Sequence, residues 1–266
     1  MFGRLTPLVK NLLIINVGIA LAQILFRIDL GDYFGLYYIS APEFKPYQFI
    51  TYMFLHSTTS MWHIFGNMFA LFIFGPLLEQ FLGPKKFLLL YMITGIGAGL
   101  FYTGVNYIEV RGVQRDVEAY IQNPTADDFN RLLINHNKKF FGPQIYDFVD
   151  DYSRNENSER LKSQSVQLAQ QLYDLYGKYN MVGASGAVFG ILAAFALFFP
   201  NTELFLLFIP FPIKAKYLVT FYILYEVFSE LQRAPGDNVA HLAHIGGALI
   251  AFFMVRYWKQ QRKDFY

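Results

Sequence analysis

Residues 181–199 read MVGASGAVFGILAAFALFF. Ser185 is the one hydroxyl in this stretch, its nearest neighbours are glycine or alanine, and everything from Ile191 onward is apolar. A helix that is hydrophobic all round belongs in a large core or in a bilayer. With 266 residues, 54% of them hydrophobic and 16% charged, and a mean hydropathy of +0.27, the chain is too apolar for an ordinary soluble domain. The expected class is an all-α polytopic membrane protein. The question that 181–199 raises is why a hydroxyl should sit at the mouth of a membrane helix among the smallest side chains available.

Windows of about 20 apolar residues pick out six spans: Leu8 to Phe26, His63 to Leu82, Phe87 to Tyr107, Gly183 to Phe199, Tyr217 to Leu231 and Val239 to Trp258. The N-terminal run has a basic start and an apolar core like a signal peptide. No A-x-A-like site closes it, so it reads as a retained first span. Residues 204–212, LFLLFIPFP, are too short and proline-broken to cross and read as a loop at the interface.

Six spans put both termini on one side, and the positive-inside rule chooses which. The tails and the loops at 83–86 and 200–216 carry ten Lys and Arg, against Arg27, Lys45 and Arg233 opposite. Both termini are therefore expected in the cytoplasm, with Ser185 at the outer end of the fourth span; a bacterial inner membrane fits this pattern.

Two outer connections stand out. Residues 27–62 hold ten aromatics in 36 positions, which suits an element lying at the membrane interface. Residues 108–180 are polar, with nine basic and eleven acidic side chains. Within them, Thr125 is a candidate N-cap, and Phe129, Leu132, Leu133, His136 and Phe140 share a helical face. Leu161, Leu168, Leu172, Leu175 and Tyr179 form a second such face. This region is expected to be a helical extracytoplasmic insertion within a single membrane domain covering 1–266.

Net charge is only +2 and no long basic block occurs, so nucleic acid is an unsuitable partner; lipid and membrane proteins are the expected ones. Zero cysteines excludes disulfides, zinc thiolates and a cysteine nucleophile. No H-E-x-x-H occurs either, and no metal or cofactor is implied.

Polar groups in a span need partners, since an unpaired one in hydrocarbon costs several kcal/mol in rough terms. His63 and Asn67, at i and i+4 in HIFGN, share one face of the second span. His244 follows His241 by one turn in the sixth. Gly183 and Gly186 in the fourth span and Gly247 in the sixth permit close helix packing, which would bring Ser185 to His244. A neutral imidazole within about 3 Å can deprotonate a serine hydroxyl. His63, Asn67 and the Ser185 backbone N–H could then hold a tetrahedral oxyanion. No acidic third member is evident, so a Ser–His dyad is expected. Glu226 and Glu230 share a face that could line a wet cavity but read rather as outer-interface residues with no catalytic task, His56 as interfacial or structural, and His136 as a surface or local packing residue. Taken alone, a serine among glycines ordinarily only packs, its hydroxyl bonded to a carbonyl one turn back.

Together these motifs resemble the rhomboid intramembrane serine proteases. GASGAVFG is similar to that family's G-x-S-G nucleophile motif, AHIGG to the segment carrying its general base, and HIFGN to its oxyanion-binding pair. The resemblance implies Ser185 as nucleophile, His244 as base, His63 and Asn67 as oxyanion stabilisers, and Phe189 stacked on His244. GPLLEQFLG, containing Glu79, resembles the family's structural G-x-x-x-E-x-x-x-G. Tyr47-Gln48 stands where the family often has Trp-Arg. The resemblance implies an endopeptidase that cleaves transmembrane segments of other membrane proteins near the extracytoplasmic face. Two rivals remain: a non-catalytic rhomboid-like protein that binds membrane clients, and a transporter using His63, His241 and His244 as a proton relay.

Overall fold

The computed structural model describes residues 5–57, 61–137, 140–178, 180–205, 211–232 and 240–261. Helix α1 (Pro7–Phe26) opens with proline at its first position, where the missing N–H costs nothing. The next N–H groups, of Leu8 and Val9, have no intrahelical acceptor, and Glu79 supplies one at 3.2 and 2.9 Å. The Glu79 carboxylate also accepts from the Thr6 hydroxyl. An acidic group at a positive helix end is favourable, so the glutamate of GPLLEQFLG fastens α1 to the end of α4.

The aromatic connection folds into two single turns, α2 (Gly31–Phe34) and α3 (Gln48–Thr51), followed by a 3₁₀ turn at Tyr52–Phe54. Gln48, almost fully buried, organises it. Its amide donates to the Glu43 and Tyr33 carbonyls at 3.0 and 3.4 Å and accepts from the Lys45 and Tyr37 N–H groups at 3.2 and 3.4 Å. The inner edge of this loop pairs with the strand before Ser185: Leu36 and Met181 exchange two backbone hydrogen bonds, and the Gly183 N–H donates to the Tyr52 carbonyl at 3.0 Å.

Helix α4 (Met61–Leu82) is followed after one glycine by α5 (Pro84–Gln122), 39 residues long. At about 1.5 Å per residue α5 extends roughly 58 Å, nearly twice a hydrocarbon core of about 30 Å. Its polar C-terminal half projects beyond the apolar half. That half joins α6 (Ala126–His136), α7 (Ile145–Arg154) and α8 (Glu159–Lys178) around a separate core of Val113, Phe129, Leu133, Tyr152 and Leu172. Thr125 caps α6, its hydroxyl accepting from the Asp128 N–H at 3.1 Å. The third apolar segment thus runs on as helix well past Tyr107, α7 is an element that the sequence reading left undrawn, and Tyr179 lies outside the described residues.

Helix α9 (Ser185–Phe198) is central, with every residue from Ser185 to Phe195 buried. A minimal hairpin, β1 (Glu203–Leu204) with β2 (Ile213–Lys214), departs from the all-helical expectation. It brackets the segment read as an interfacial loop, of which 206–210 lie outside the described residues. Helix α10 (Ala215–Gln232) is peripheral, burying only Ala215, Val219 and Glu226, while α11 (His241–Gln261) packs most extensively on α9. Val239 is not among the described residues.

Among the described residues, α1, α4 and α5 are long and apolar enough to cross a membrane. Their outward faces carry Ile14, Leu21, Leu25, Phe65, Phe69 and Leu100, all exposed. The chain is therefore a mostly helical integral membrane protein.

Candidate active site

Ser185 is the first residue of α9, with Ala184 as N-cap. Its own backbone N–H is one of the first-turn donors that a helix leaves unpaired. Gly183, two residues earlier, has φ +138°, a conformation that glycine adopts without strain. A side chain there would also collide: a Cβ built on Gly183 falls 2.8 Å from His63 Nε2 and 3.5 Å from Ser185 Oγ. The imidazole of α4 and the hydroxyl of α9 thus flank one small space, kept open by glycine. Gly183 precedes the helix, so its place in the structure is beside His63 and not in a helix–helix contact.

Close packing falls to Gly186 and Gly247. A Cβ on Gly247 would overlap the Gly186 carbonyl, and one on Gly186 would stand 3.5 Å from the Ala243 carbonyl. Helices α9 and α11 therefore meet backbone to backbone beside His244. The His244 ring lies flat on Phe189, with centroids 4.3 Å apart and planes 6° from parallel. Phe189 follows Ser185 by four residues and shares its face. Phe189 also touches Tyr222 of α10 at 4.8 Å. No hydrogen bond joins Ser185 to His244 in this structure; such pairs are often loose without substrate and tighten around it.

Asn67, one turn below His63 on α4, is buried, and its Nδ2 has no partner among the described residues. An unpaired buried amide donor is costly, on the order of 1–3 kcal/mol. Such groups persist where something else is to be bound. His56 is also buried, at 2% exposure, with neither ring nitrogen paired among the described residues, and its ring stands 5.4 Å from that of His63. It packs beside His63, which supports the structural one of its two readings.

The largest departure concerns Glu226. It is 3% exposed, packed inside the bundle; its Oε2 lies 2.7 Å from His244 Nδ1 and 2.5 Å from His241 Nδ1. An acidic group does stand beside the imidazole, contrary to the expectation of none. The signal was present in the sequence: a glutamate in an apolar helix is expensive and normally functional. What was missing was its facing, since α10 and α11 lie some 15–18 residues apart along the chain at these contacts. His136 is bonded through Nε2 to Asp116 at 2.8 Å, remote in sequence from every one of these groups.

A hydroxyl, the imidazoles of His63, His241 and His244, the Glu226 carboxylate and the Asn67 amide thus gather where α4, α9, α10 and α11 meet, inside a bundle whose outer faces suit lipid. Such an arrangement defines an integral membrane protein with a polar site enclosed by its helices. The model of the Rhomboid domain matches residues 43–109 and 164–261, and the chain belongs to the rhomboid family. The matched segments include all the site residues and leave out 1–42, with α1 and α2, and 110–163, the last third of α5 with α6, α7 and the start of α8. Rhomboid-like protein 11, chloroplastic, of Arabidopsis thaliana is 37% identical over 89 residues, 34% of this chain. The match spans 30% of that relative's length.

Proposed function

We propose that the protein is an intramembrane serine endopeptidase that cleaves transmembrane segments of other membrane proteins. The observation that carries this reading is the convergence at Gly183, where His63 Nε2 and Ser185 Oγ flank one space while the Asn67 amide, unpaired among the described residues, lies one turn away. In the proposed reaction Ser185 Oγ attacks the scissile carbonyl carbon and its proton passes to His244. The carbonyl oxygen becomes an oxyanion, held by Asn67 Nδ2, His63 and the Ser185 N–H. Collapse breaks the C–N bond, His244 protonates the leaving amine, and water later hydrolyses the acyl-enzyme by the same route in reverse.

The same reading takes α1, α4, α5, α9, α10 and α11 as six spans, with the polar segment 108–180 as an extracytoplasmic insertion. Ten basic residues against three support cytoplasmic termini, as in a bacterial inner membrane. Helix α9, at 14 residues, is only about 21 Å long. With its far end at the cytoplasmic interface, Ser185 would sit below the outer surface of a core of about 30 Å.

Cleavage of a single-pass model substrate by the purified chain in detergent tests the reading. Ser185→Ala and His244→Ala should each abolish it; wild-type cleavage by either would end the proposal. That no hydrogen bond joins Ser185 to His244 among the described residues favours a second reading, a non-catalytic binder of membrane clients. That protein would hold the same substrate stoichiometrically and leave it whole.

A further inference from the structure

Glu226 is the buried group that the mechanism above leaves without a task. Helix α10 is otherwise apolar on its inward side, and a carboxylate taken from water there needs strong partners. It has two, one turn apart on α11: Oε2 lies within hydrogen-bond distance of His241 Nδ1 and His244 Nδ1, at 2.5 and 2.7 Å. An ionised carboxylate can only accept hydrogen bonds. With Glu226 ionised and the rings neutral, each Nδ1 carries its ring's proton and each Nε2 keeps a lone pair. For His244 this is the tautomer a general base requires. Phe189 fixes the plane of the ring and Glu226 one edge, which turns Nε2 away from α10.

The three side chains are also of metal-ligand type, with ligand atoms all within 4.8 Å of one another. Atoms bound to one zinc at about 2.0–2.2 Å in a tetrahedron stand more than about 3 Å apart. The observed 2.5 and 2.7 Å are hydrogen-bond separations. In this arrangement the groups are joined by hydrogen bonds.

We propose that Glu226 is a positioning residue of the site, completing a Ser185–His244–Glu226 relay in which His241 braces the shared carboxylate. This rests on the protease reading. When the Ser185 Oγ–carbon bond forms, the hydroxyl proton moves to His244 Nε2. Glu226 stays ionised throughout, holding Nδ1–H and stabilising the imidazolium until the proton leaves on the amine. Its second contact, to His241, prevents the carboxylate from swinging away and ties α10 to α11.

The test compares kcat, KM and melting temperature for the full chain and its Glu226→Gln, Glu226→Asp, His241→Ala and Ser185→Ala variants on one substrate. A neutral amide can turn its NH₂ toward Nδ1 and select the wrong tautomer. Glu226→Gln should therefore lower kcat by about 10²–10⁴-fold with KM within a few-fold. Glu226→Asp should recover part of that loss, and His241→Ala should lose far less than Glu226→Gln. Wild-type kcat in Glu226→Gln overturns the relay. So does an equal loss in His241→Ala, which would make Glu226 only a tie between helices. If Glu226→Gln does not fold, Glu226→Asp decides: reduced kcat at unchanged melting temperature supports the relay, and wild-type kcat removes it. An active Ser185→Ala would remove the protease reading itself, whereas an inactive one beside a fully active Glu226→Gln removes the relay alone.

Discussion

Asn67 presents an amide donor, Nδ2, that is buried and unpaired among the described residues, and its use in the account is confined to the transition state. Asn67→Ala should accordingly lower kcat by about 10²–10³-fold, the usual effect of losing one oxyanion donor, with little change in KM. A loss confined to KM would place Asn67 in ground-state binding instead. At this scale the sequence placed most of the cluster. HIFGN sets His63 and Asn67 on one face by simple periodicity, and GASGAVFG puts Phe189 one turn from Ser185. Glu226 escaped because helical spacing says which residues share a face and nothing about which face meets which helix. The two histidines of HLAH are visible as an i, i+3 pair; that both address one carboxylate on another helix is a property of packing.

Among the elements, the contact of α9 with α11 does most to bring Ser185 and His244 onto the same side. Gly247→Ala would place a methyl group in the Gly186 carbonyl, and overpacking of this kind costs about 1–3 kcal/mol. Thermal unfolding in detergent should show the lower stability, and cleavage should fall further than stability because α11 carries His244. Wild-type activity would mean that the helices can part without disturbing the site. At the opposite end of the bundle, Glu79→Ala would strand the Thr6 hydroxyl and the Leu8 and Val9 amides. A loss on the order of 1–3 kcal/mol is expected, with kcat nearly unchanged in the protein that remains folded. A large fall in kcat would connect that end to the chemistry. Helix positions were legible because apolar runs are unambiguous, and Thr125 announced the start of α6. The length of α5 was not, since the mixed polar sequence after Tyr107 reads as the beginning of a loop when its apolar stripe against α6 and α8 is unknown.

For the whole molecule, the informative feature is that the core in the projection built on α5 is separate from the packing among the apolar helices. Asp116 joins α5 to α6 through His136 Nε2 at 2.8 Å. Although partial burial raises its pKa, hydrogen bonds from His136 and Arg115 outweigh this and hold the carboxyl below its ordinary 3.8. A depressed carboxyl contributes stability that is present above its unfolded value and lost as pH falls through the folded one. The melting-temperature difference between the wild type and Asp116→Asn should therefore persist from neutral pH down to about pH 5 and close below the ordinary 3.8. A difference independent of pH would assign the contact no electrostatic role. Orientation is open to a clean test because the chain has no cysteine. In intact cells an impermeant maleimide should label Asp150→Cys at once and Lys85→Cys only after permeabilisation; the reverse order would invert the proposed topology.

The most direct measurement of the central claim is the mass of the purified chain after treatment with a fluorophosphonate, which reacts with activated serines. The account predicts a single adduct, mapped to Ser185, that fails to form in His244→Ala. An unmodified protein, or an adduct on another residue, would contradict it.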